Sequence, residues 1–600
     1  MRTTHILIFF LGLTSLISAQ KEDFIWSMGN GDYKVHREGG PLEEHTGNTF
    51  IDFHHEPPLI YQDEDSHNQY KLANGQIATP DGEPLLYCNG LEVTTYLKDT
   101  LDGGGVISHS QLWEDLVSYS DGIRLTSGSN TSQSIVFVQI PQSEDEYFLL
   151  YSHLIVPAST KQLFHAKIDM SLNNGAGKAI YIDSIVRPNI EAQLSFHLRP
   201  VRHANGRDWW ILAPDIFEEK IHRMLISPEG ISFHGEQSFK IAGIGQTKYS
   251  PDGRYMVMSS CVTLFSPNNP DNTIHIYEVD RCTGELVEVF SETLADCLST
   301  TGAGFSPDSR YMFYTNIDEV LQVDLWAEPI GRVVHRVWVD EGQRDNVYSF
   351  NAPFEPRHMQ LGPDNRMYVP AGGRAVINIM HKPWLPGEEA EWEDFAIITP
   401  TPIFPATPNI LNPRLGPVDG SACDTLGIDN NPVAGFRYTQ DDTLSHLDIG
   451  FVDLSYMAPT LWEWDFGDGA TSTERYPEHS YAENGIYEVC LTVSNENSSD
   501  TFCKTLLLGV TSTTEEASEI QPYVSIYPQP VSDYLRVAIH DYLPQSARFV
   551  MHDVQSQVVL EKKLSGQESI VDLTPLAAGM YYYQVWDGLQ LIGKNKLVKI

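Results

Sequence analysis

Basic charge is what this sequence has least of. Lys and Arg together number 39 against 80 Asp and Glu, a balance of 39 − 80 = −41. The excess is spread along the chain rather than gathered in a tail. Such a surface repels phosphate backbones and anionic lipid, which argues against nucleic acid or a membrane surface as partner. The plain meaning of the acidity is solubility outside the cell. Long apolar runs are also missing after the first twenty residues. No later stretch approaches the ~18 consecutive apolar residues that a spanning helix needs, so no transmembrane segment is expected. Cysteine is sparse, seven in 600 residues. Cys88, Cys261, Cys282, Cys297 and Cys423 show no CxxC pair and no zinc spacing, and their pairing is not readable. Equally absent are HExxH, a GxSxG elbow, a phosphate-binding glycine loop and EF-hand spacing. Sequence therefore assigns no catalytic residue, no metal ligand and no cofactor, and it does not identify the ligand-binding residues.

What is present begins with MRTTHILIFFLGLTSLISAQ: one early arginine, an apolar run from Ile6 to Ile17, and the small pair Ser18-Ala19. That is the layout of a cleaved secretory signal over residues 1–20, with a mature chain starting near Gln20 or Lys21. Six hundred residues exceed what one hydrophobic core supports, so several domains are expected.

From Lys21 to about residue 410, short β-rich runs are broken by Gly, Asn, Asp and Pro, with almost no helical periodicity, which predicts all-β structure. A repeat stands out: YSPDGRYMVM at Pro251, FSPDSRYMFY at Pro307 and LGPDNRMYVP at Pro363, with 56 residues between successive prolines. Each Pro-Asp-x supplies turn chemistry, and an alternating strand follows. In one unit the strands trace as Tyr255 to Ser259, Thr273 to Val279 and Leu286 to Phe290, with a turn at Cys282-Thr283-Gly284. Units of this length match propeller blades of about four strands, so residues 21–410 are expected to form a six- or seven-bladed β-propeller. Looser copies lie upstream at ATPDGEPLLYCNG (Ala78 to Gly90), SQSIVFVQIP (Ser132 to Pro141) and HANGRDWWILAP (His203 to Pro214).

Two clusters here invite a chemical reading. His203, Arg207 and Asp208 could form an acid/base group, and a propeller funnel is a usual place for one. Asn205-Gly206, however, is a type I′ hairpin signal and Trp209-Trp210 open an apolar strand, so His203 and Asp208 are expected to flank a turn. His54-His55-Glu56 invites a metal, but Pro57 and Pro58 follow at once and no helix can hold it. An enzyme could still draw carboxylates from separate blades and leave no linear motif. Pro80, Asp81, Gly82, Tyr87, Asn89 and Gly90, then Gln133, Ser134 and Pro141, then His203 through Trp210, resemble strings in a family of exported bacterial propeller proteins. That resemblance covers about 370 residues and implies a fold rather than a substrate.

From about Asp424 to Val510 the 56-residue beat stops. In WEWDFGDG, Trp462 and Trp464 share one face of a strand by period two, and Asp468-Gly469 is a strong turn signal. Tyr487, Val489, Leu491 and Val493 alternate as a second half-buried strand. Trp464, Asp465, Phe466, Gly467, Asp468 and Gly469, then Pro477, His479, Ser480 and Tyr481, then Gly485, Ile486 and Tyr487, closely resemble a PKD domain, an immunoglobulin-like β-sandwich (424–510). The resemblance makes Asp465 and Asp468 turn caps and the tryptophans core, not a calcium site. Cys490 and Cys503 flank a short loop, and symmetric closure would set them opposite one another as a candidate disulfide. The same register puts Lys504 beside Val489, which argues for a slip.

After a Ser/Thr/Glu-rich linker (511–522), the last unit (523–600) reads as a small β-sandwich. Over its whole length it resembles the C-terminal sorting domain of type IX secretion. The carried-over positions are Tyr527, Pro528, Pro530, Leu573, Leu576, Gly579, Tyr581, Lys594, Lys596 and Lys599. Asp553-Val554-Gln555-Ser556 stands where that family usually has an Asp-x-x-Gly turn. The resemblance implies the type IX machinery as partner. It also implies a protein secreted, or attached to the outer cell surface, after signal-peptide removal and outer-membrane export. The functional expectation is a non-catalytic binding or adhesion protein: a propeller with a ligand face, a PKD spacer holding it away from the cell, and a removable sorting tail. Carbohydrate or a surface protein is the candidate ligand. The alternatives are a polysaccharide lyase or hydrolase working in the funnel, and a scaffold of a surface assembly.

Overall fold

In the computed structural model the chain is described from residue 20 to 599, apart from 29–32, 37–41, 46–47, 64–73, 90–92, 97–98, 105–134, 156–159, 187–197, 216–218, 240–245, 260–272, 294–301, 316–318, 332–333, 340–357, 371–373, 404–406, 441–445, 509–523, 528–530, 532–533, 540–546, 553–557, 565–567, 578 and 588–589. The signal peptide, the linker, Gly90, Gln133, Ser134, Cys261, Cys297, Pro528, Pro530 and the Asp553–Ser556 turn fall outside it. The chain divides into two compact units, Met1–Leu508 and Gly509–Ile600.

The first unit contains the propeller. Its repeated turn explains the 56-residue beat. Ser250 and Ser306 each hydrogen-bond the Asp two residues on and accept the backbone N–H of Tyr255 (2.9 Å) and Tyr311 (2.8 Å). Asp252, Asp308 and Asp364 each accept the N–H of the arginine two residues later, at 3.0, 3.2 and 3.2 Å. The residue between, Gly253, Ser309 or Asn365, takes a left-handed backbone at φ +71°, +61° and +62°. The strand after each turn is buried along its whole length, as at Tyr255–Ser259 and Tyr311–Thr315. The strands traced from sequence fall within the observed 255–259, 273–280 and 285–293.

Seven sheets of three or four described antiparallel strands follow in chain order: blade one over 25–63, two over 75–95, three over 135–185, four over 201–238, five over 247–293, six over 303–339 and seven over 360–403. Apolar clusters join neighbours face to face. Leu86 and Leu149 link two to three, Val138 and Ile211 link three to four, and Leu212 and Met256 link four to five. Val257 and Met312 then link five to six, and Phe313 and Val369 link six to seven. Trp26 and Ile51 packed on Tyr368 and Ile377 return the chain from blade seven to blade one. At the last junction, one to two, Phe50 meets Tyr87 edge-on (6.2 Å) beside polar contacts: Ser27 N donates to Gln76 Oε1 (2.9 Å) and Asn74 Nδ2 to Ser27 O (2.8 Å). Among the described residues neighbouring blades thus bury their faces against one another, and blade seven meets blade one to close the ring.

The second domain of this unit is a sandwich of one three-stranded and one four-stranded sheet. Its core gathers Phe436, Phe451, Trp464, Phe466, Tyr481, Val489 and Leu491. It is not the detached spacer that the sequence reading implied. Arg437 Nε donates to Asp364 O (2.7 Å), Asn365 Nδ2 to Asp453 O (2.6 Å), and Tyr476 stacks on Trp384 at 4.3 Å. The domain therefore sits against the turns of blade seven. The last residues of the chain fold as a separate sandwich of three- and four-stranded sheets around Leu535, Phe549, Leu573, Val585 and Leu597.

Candidate functional site

The innermost strand of each blade lines the hub, and long polar side chains there reach across more than one blade. Gln246, at the edge of the blade-five inner strand and fully buried, accepts the N–H of Ala303 and of Met359 (both 3.0 Å) and donates to Met359 O (3.1 Å). One amide thereby satisfies the backbone of blades six and seven, which a buried polar group requires. Lys248, two residues on and 5% exposed, crosses the same gap to Gln360 Oε1 of blade seven. Gly304 occupies the intervening strand, where a Cβ would come within 2.8 Å of Met367.

Residues 407–418 leave blade seven and run across the hub. Asn409 N donates to Asn74 O and its side chain to Ile135 O and Leu198 O, all at 2.8 Å. Arg199 donates to Asn409 Oδ1 (3.3 Å) and Ile410 O (2.9 Å), and Asn412 donates to Pro251 O (2.9 Å). Arg414 and Asp23 form a paired bridge, and Val418 N donates to Ala204 O (2.9 Å). A Cys282–Cys423 disulfide then fixes the segment to a turn of blade five. The connector thus runs from the start of the inner strands, at Asn409, to the turns that follow them, at Asn412 and Val418.

Electrostatics in the hub are dominated by buried cations. Burial pulls the Arg199 guanidinium down to about 10 and holds the Lys248 ammonium well below its usual range, with Arg199 adding repulsion. Gln360 Oε1 is the one acceptor for Lys248 Nζ among the described residues. Nearer the turn end, burial pushes the Glu22 carboxyl up to about 7, and its Oε2 finds no hydrogen-bond partner.

The residues singled out from sequence are placed as follows. His203 and Asp208 flank a turn, with His203 N donating to Asp208 O (2.8 Å). Asp208 is held by Arg207 Nε (2.7 Å) and Asn205 Nδ2 (2.8 Å), while the His203 ring accepts Asn205 N (2.9 Å). The turn is not type I′, which needs positive φ at both central residues: Gly206 is at +75° and Asn205 is not left-handed. The Asn205 side chain, accepting the N–H of Arg207 and Asp208 (both 3.0 Å), sets the loop instead. His54 spends both ring nitrogens, on Asp52 (2.8 Å) and Asp81 O (3.2 Å), and Glu56 lies 3.5 Å from Lys504.

In the sandwich, Trp464 is buried, Trp462 half-buried on the same core, and Trp464 Nε1 donates to Glu474 O (2.9 Å). Asp465 accepts Gly467 N and Asp468 accepts Ala470 N, each at 2.9 Å, so both carboxylates cap the turn. Asp468 also meets His479 (2.8 Å), whose ring stacks on Phe466 at 4.2 Å. Gly467, at φ +79°, has the Glu488 carbonyl 2.6 Å from where a Cβ would be, so only glycine fits. Tyr481 donates to Phe466 O (3.0 Å), and Tyr487 lies over Gly485 and donates to Glu483 O (2.8 Å). Cys490 and Cys503 are directly opposed and disulfide-bonded, without a slip. Lys504 does stand beside Val489, its ammonium 5.6 Å from the Phe436 ring centre and its tip reaching Glu56, as a snorkelling lysine does.

In the tail, Tyr527, Lys594 and Lys596 lie on strands, Leu573 is in the core with Leu576 packed against it, and Lys599 is buried. Gly579 opens the strand carrying Tyr581, whose hydroxyl donates to Ala577 O (2.8 Å). Sequence reasoning missed three features: the hub pair Lys248–Gln360, the Cys282–Cys423 bridge, and a cluster of Asp419, Asp424 and Asp429 with carboxylates within 4.8 Å of one another. Their even five-residue spacing was the available signal for the last. Asp424 already accepts Gly420 N (2.9 Å), and Asp419 accepts Asn497 Nδ2 (2.8 Å).

Residues 430–509 match the family model of the PKD domain, and 525–599 that of the secretion system C-terminal sorting domain. The PKD1 domain of Vibrio cholerae metalloprotease PrtV is 34% identical, over 13% of this chain and 95% of that one, at a TM-score of 0.12. A Lactobacillus plantarum protein aligns with 11% identity over 64% of this chain and 98% of that one, at a TM-score of 0.39. The periplasmic gluconolactonase PpgL of Pseudomonas aeruginosa aligns with 11% identity over 63% and 97%, at 0.37. No curated protein sequence matches the chain.

Proposed function

Because this chain belongs to the PKD-domain proteins and bears the C-terminal sorting domain of type IX secretion cargo, we propose that it works outside the cell as a non-catalytic binding protein whose propeller carries the ligand. Export to the cell surface or medium follows from the sorting domain. Removal of residues 523–600 on export, with attachment to surface lipopolysaccharide or release, belongs to the same proposal.

The observation that supports binding over catalysis is the composition of the hub. Among its described polar side chains are Gln246, Gln360, Asn409, Lys248, Arg199 and a single histidine, His358, and the three amides are held by backbone or by a cation. A hydrolase or lyase needs two carboxylates or histidines converging on one substrate. The enzyme alternative draws on one observation, the buried Glu22 carboxyl, whose Oε2 has no hydrogen-bond partner. Its neighbour Asp23 is already engaged by Arg414, so Glu22 lacks a second carboxylate of complementary role. The test is an array of glycans and polysaccharides probed with residues 21–508, read for both retention and product release. Retention without turnover is expected. Product release would transfer the assignment to the enzyme.

A further inference from the structure

The connector lies along the hub and is bonded to blades two to five. Thr407 accepts Gln246 Nε2 (3.4 Å) where the inner strands begin, and Gly416 O accepts Arg281 where the turns follow. Leu415 and Pro417 stand 2.7 and 2.9 Å from where a Cβ on Gly253 or Gly206 would be. A polymer in the hub would have to displace these contacts, whereas one held on the outer loops displaces none. Among the described residues one tryptophan is exposed on such a loop. It is Trp326, at 64%, between the third and fourth strands of blade six.

The loop is fixed at both ends. Asp324 Oδ1 accepts Trp326 N (2.9 Å), and Leu325 N donates to Arg310 O (2.8 Å). At the far end Gly331, at φ +85°, lies where a Cβ would be 2.1 Å from the Phe290 ring of blade five. Arg310 sits against the indole, its guanidinium carbon 5.3 Å from the Trp326 ring centre and 4.7 Å from that of Tyr311. Its Nη2 and Nε donate to Asp324 at 2.9 and 3.4 Å, and its other guanidinium N–H groups have no acceptor among the described residues. The next blade shows how a tryptophan on this loop is covered. There Gly387 follows Gly331 by 56 residues, and Trp384 is stacked by Tyr476 at 4.3 Å and 19°. No described ring stacks on Trp326.

We propose that Trp326 and Arg310 form the platform on which the propeller holds a neutral pyranose residue of a polysaccharide, the indole taking a C–H face of the sugar and the guanidinium its hydroxyls. This rests on the binding reading above and names the ligand class and the place for it. Two observations favour a sugar over a protein partner. A protein hot spot sets its aromatic inside a rim that excludes water, whereas Trp326 stands between charged groups: Arg310 and Asp324 in contact with it, and exposed Glu328 two residues on. Those groups offer donors and acceptors to hydroxyls. Asp324 also neutralises Arg310, and the net charge is −41, so neither the platform nor the surface draws an anion. A neutral glycan is therefore preferred over a uronic one. Because the loop is already fixed, little conformational freedom is lost when the ring is covered.

The test is an array of neutral and acidic glycans probed with the purified full chain and with Trp326→Ala and Trp326→Phe. It is read beside N-bromosuccinimide oxidation of exposed indoles, mapped by peptide mass. Neutral glycans are expected to be retained ahead of oligogalacturonate, and the best-retained one should protect Trp326 from oxidation. Trp326→Ala should weaken that retention by about tenfold or more, and Trp326→Phe by less. Since the ring is exposed, both variants should unfold in urea at the parent's midpoint, so lost retention reads as a lost platform. Three results would overturn the proposal: no retention of neutral glycans, retention and protection that Trp326→Ala leaves unchanged, or a preference for oligogalacturonate. Each of these leaves the binding reading standing, with another site or a surface protein as ligand. Product release on the array would remove that reading itself.

Discussion

Glu22 shows how a single side chain can set the pH response of the first unit. Its folded value, about 7, lies above the ordinary 4.5 because burial disfavours the charge, with Asp23 adding to it. Below pH 4.5 the carboxyl is protonated in both folded and unfolded chains and contributes nothing to pH dependence. Between 4.5 and 7 the unfolded chain ionises first, so stability falls as pH rises, and above 7 the full penalty is present. The shift corresponds to about 3 kcal/mol at most. Glu22→Gln should remove that slope. In urea unfolding at pH 4.5 and 7.5, the variant is expected to gain on the parent by up to that amount at the higher pH, and a constant difference between them would refute the assignment. None of this was visible in the sequence, where Glu22 is one acid among many beside the signal peptide. Its electrostatic neighbours include Arg414 and Tyr456, which lie roughly four hundred residues away in the chain. By contrast, the capping roles of Asp465 and Asp468 were legible, because a side chain that bonds a backbone N–H two residues on needs no distant partner.

At the scale of elements, the same contrast separates what could be read from what could not. The Pro-Asp-x turns and the strands behind them were legible because Gly253, Ser309 and Asn365 mark a local backbone requirement and a short, largely apolar run follows directly, although the expected alternation gives way to burial along the whole strand. The misreading at Asn205-Gly206 came from trusting a dipeptide whose side chain prefers to cap its own loop. The connector over residues 407–418 has no repeat and no periodicity, and its partners are backbone carbonyls of four blades, so nothing in its own letters announces it. The bridge that anchors it, Cys282–Cys423, spans 141 residues and leaves no spacing signal. Cys423→Ser should lower stability by about 2–5 kcal/mol under oxidising conditions. The loss should vanish when parent and variant are compared in reductant. An unchanged melting temperature in oxidising buffer would show that the connector is held by its hydrogen bonds alone.

On the scale of the whole molecule, the propeller and PKD domain form one unit, and the tail folds as another. The PKD domain touches the turns of blade seven through Arg437, Asn365 and the Trp384–Tyr476 stack, so it is docked on the propeller rather than held as a free spacer. That arrangement makes residues up to Leu508 one compact body. A tail with its own core, Leu535 through Leu597, can be read by an export machine while the cargo stays folded. The account's central claim is that this tail is the address that takes a folded binding protein out of the cell. The direct measurement is the distribution of the chain between periplasm, cell surface and medium when residues 523–600 are deleted in a host with type IX secretion. The account predicts a folded protein, with both sandwich cysteines still paired, accumulating in the periplasm. Normal amounts of the shortened chain outside the cell would contradict it.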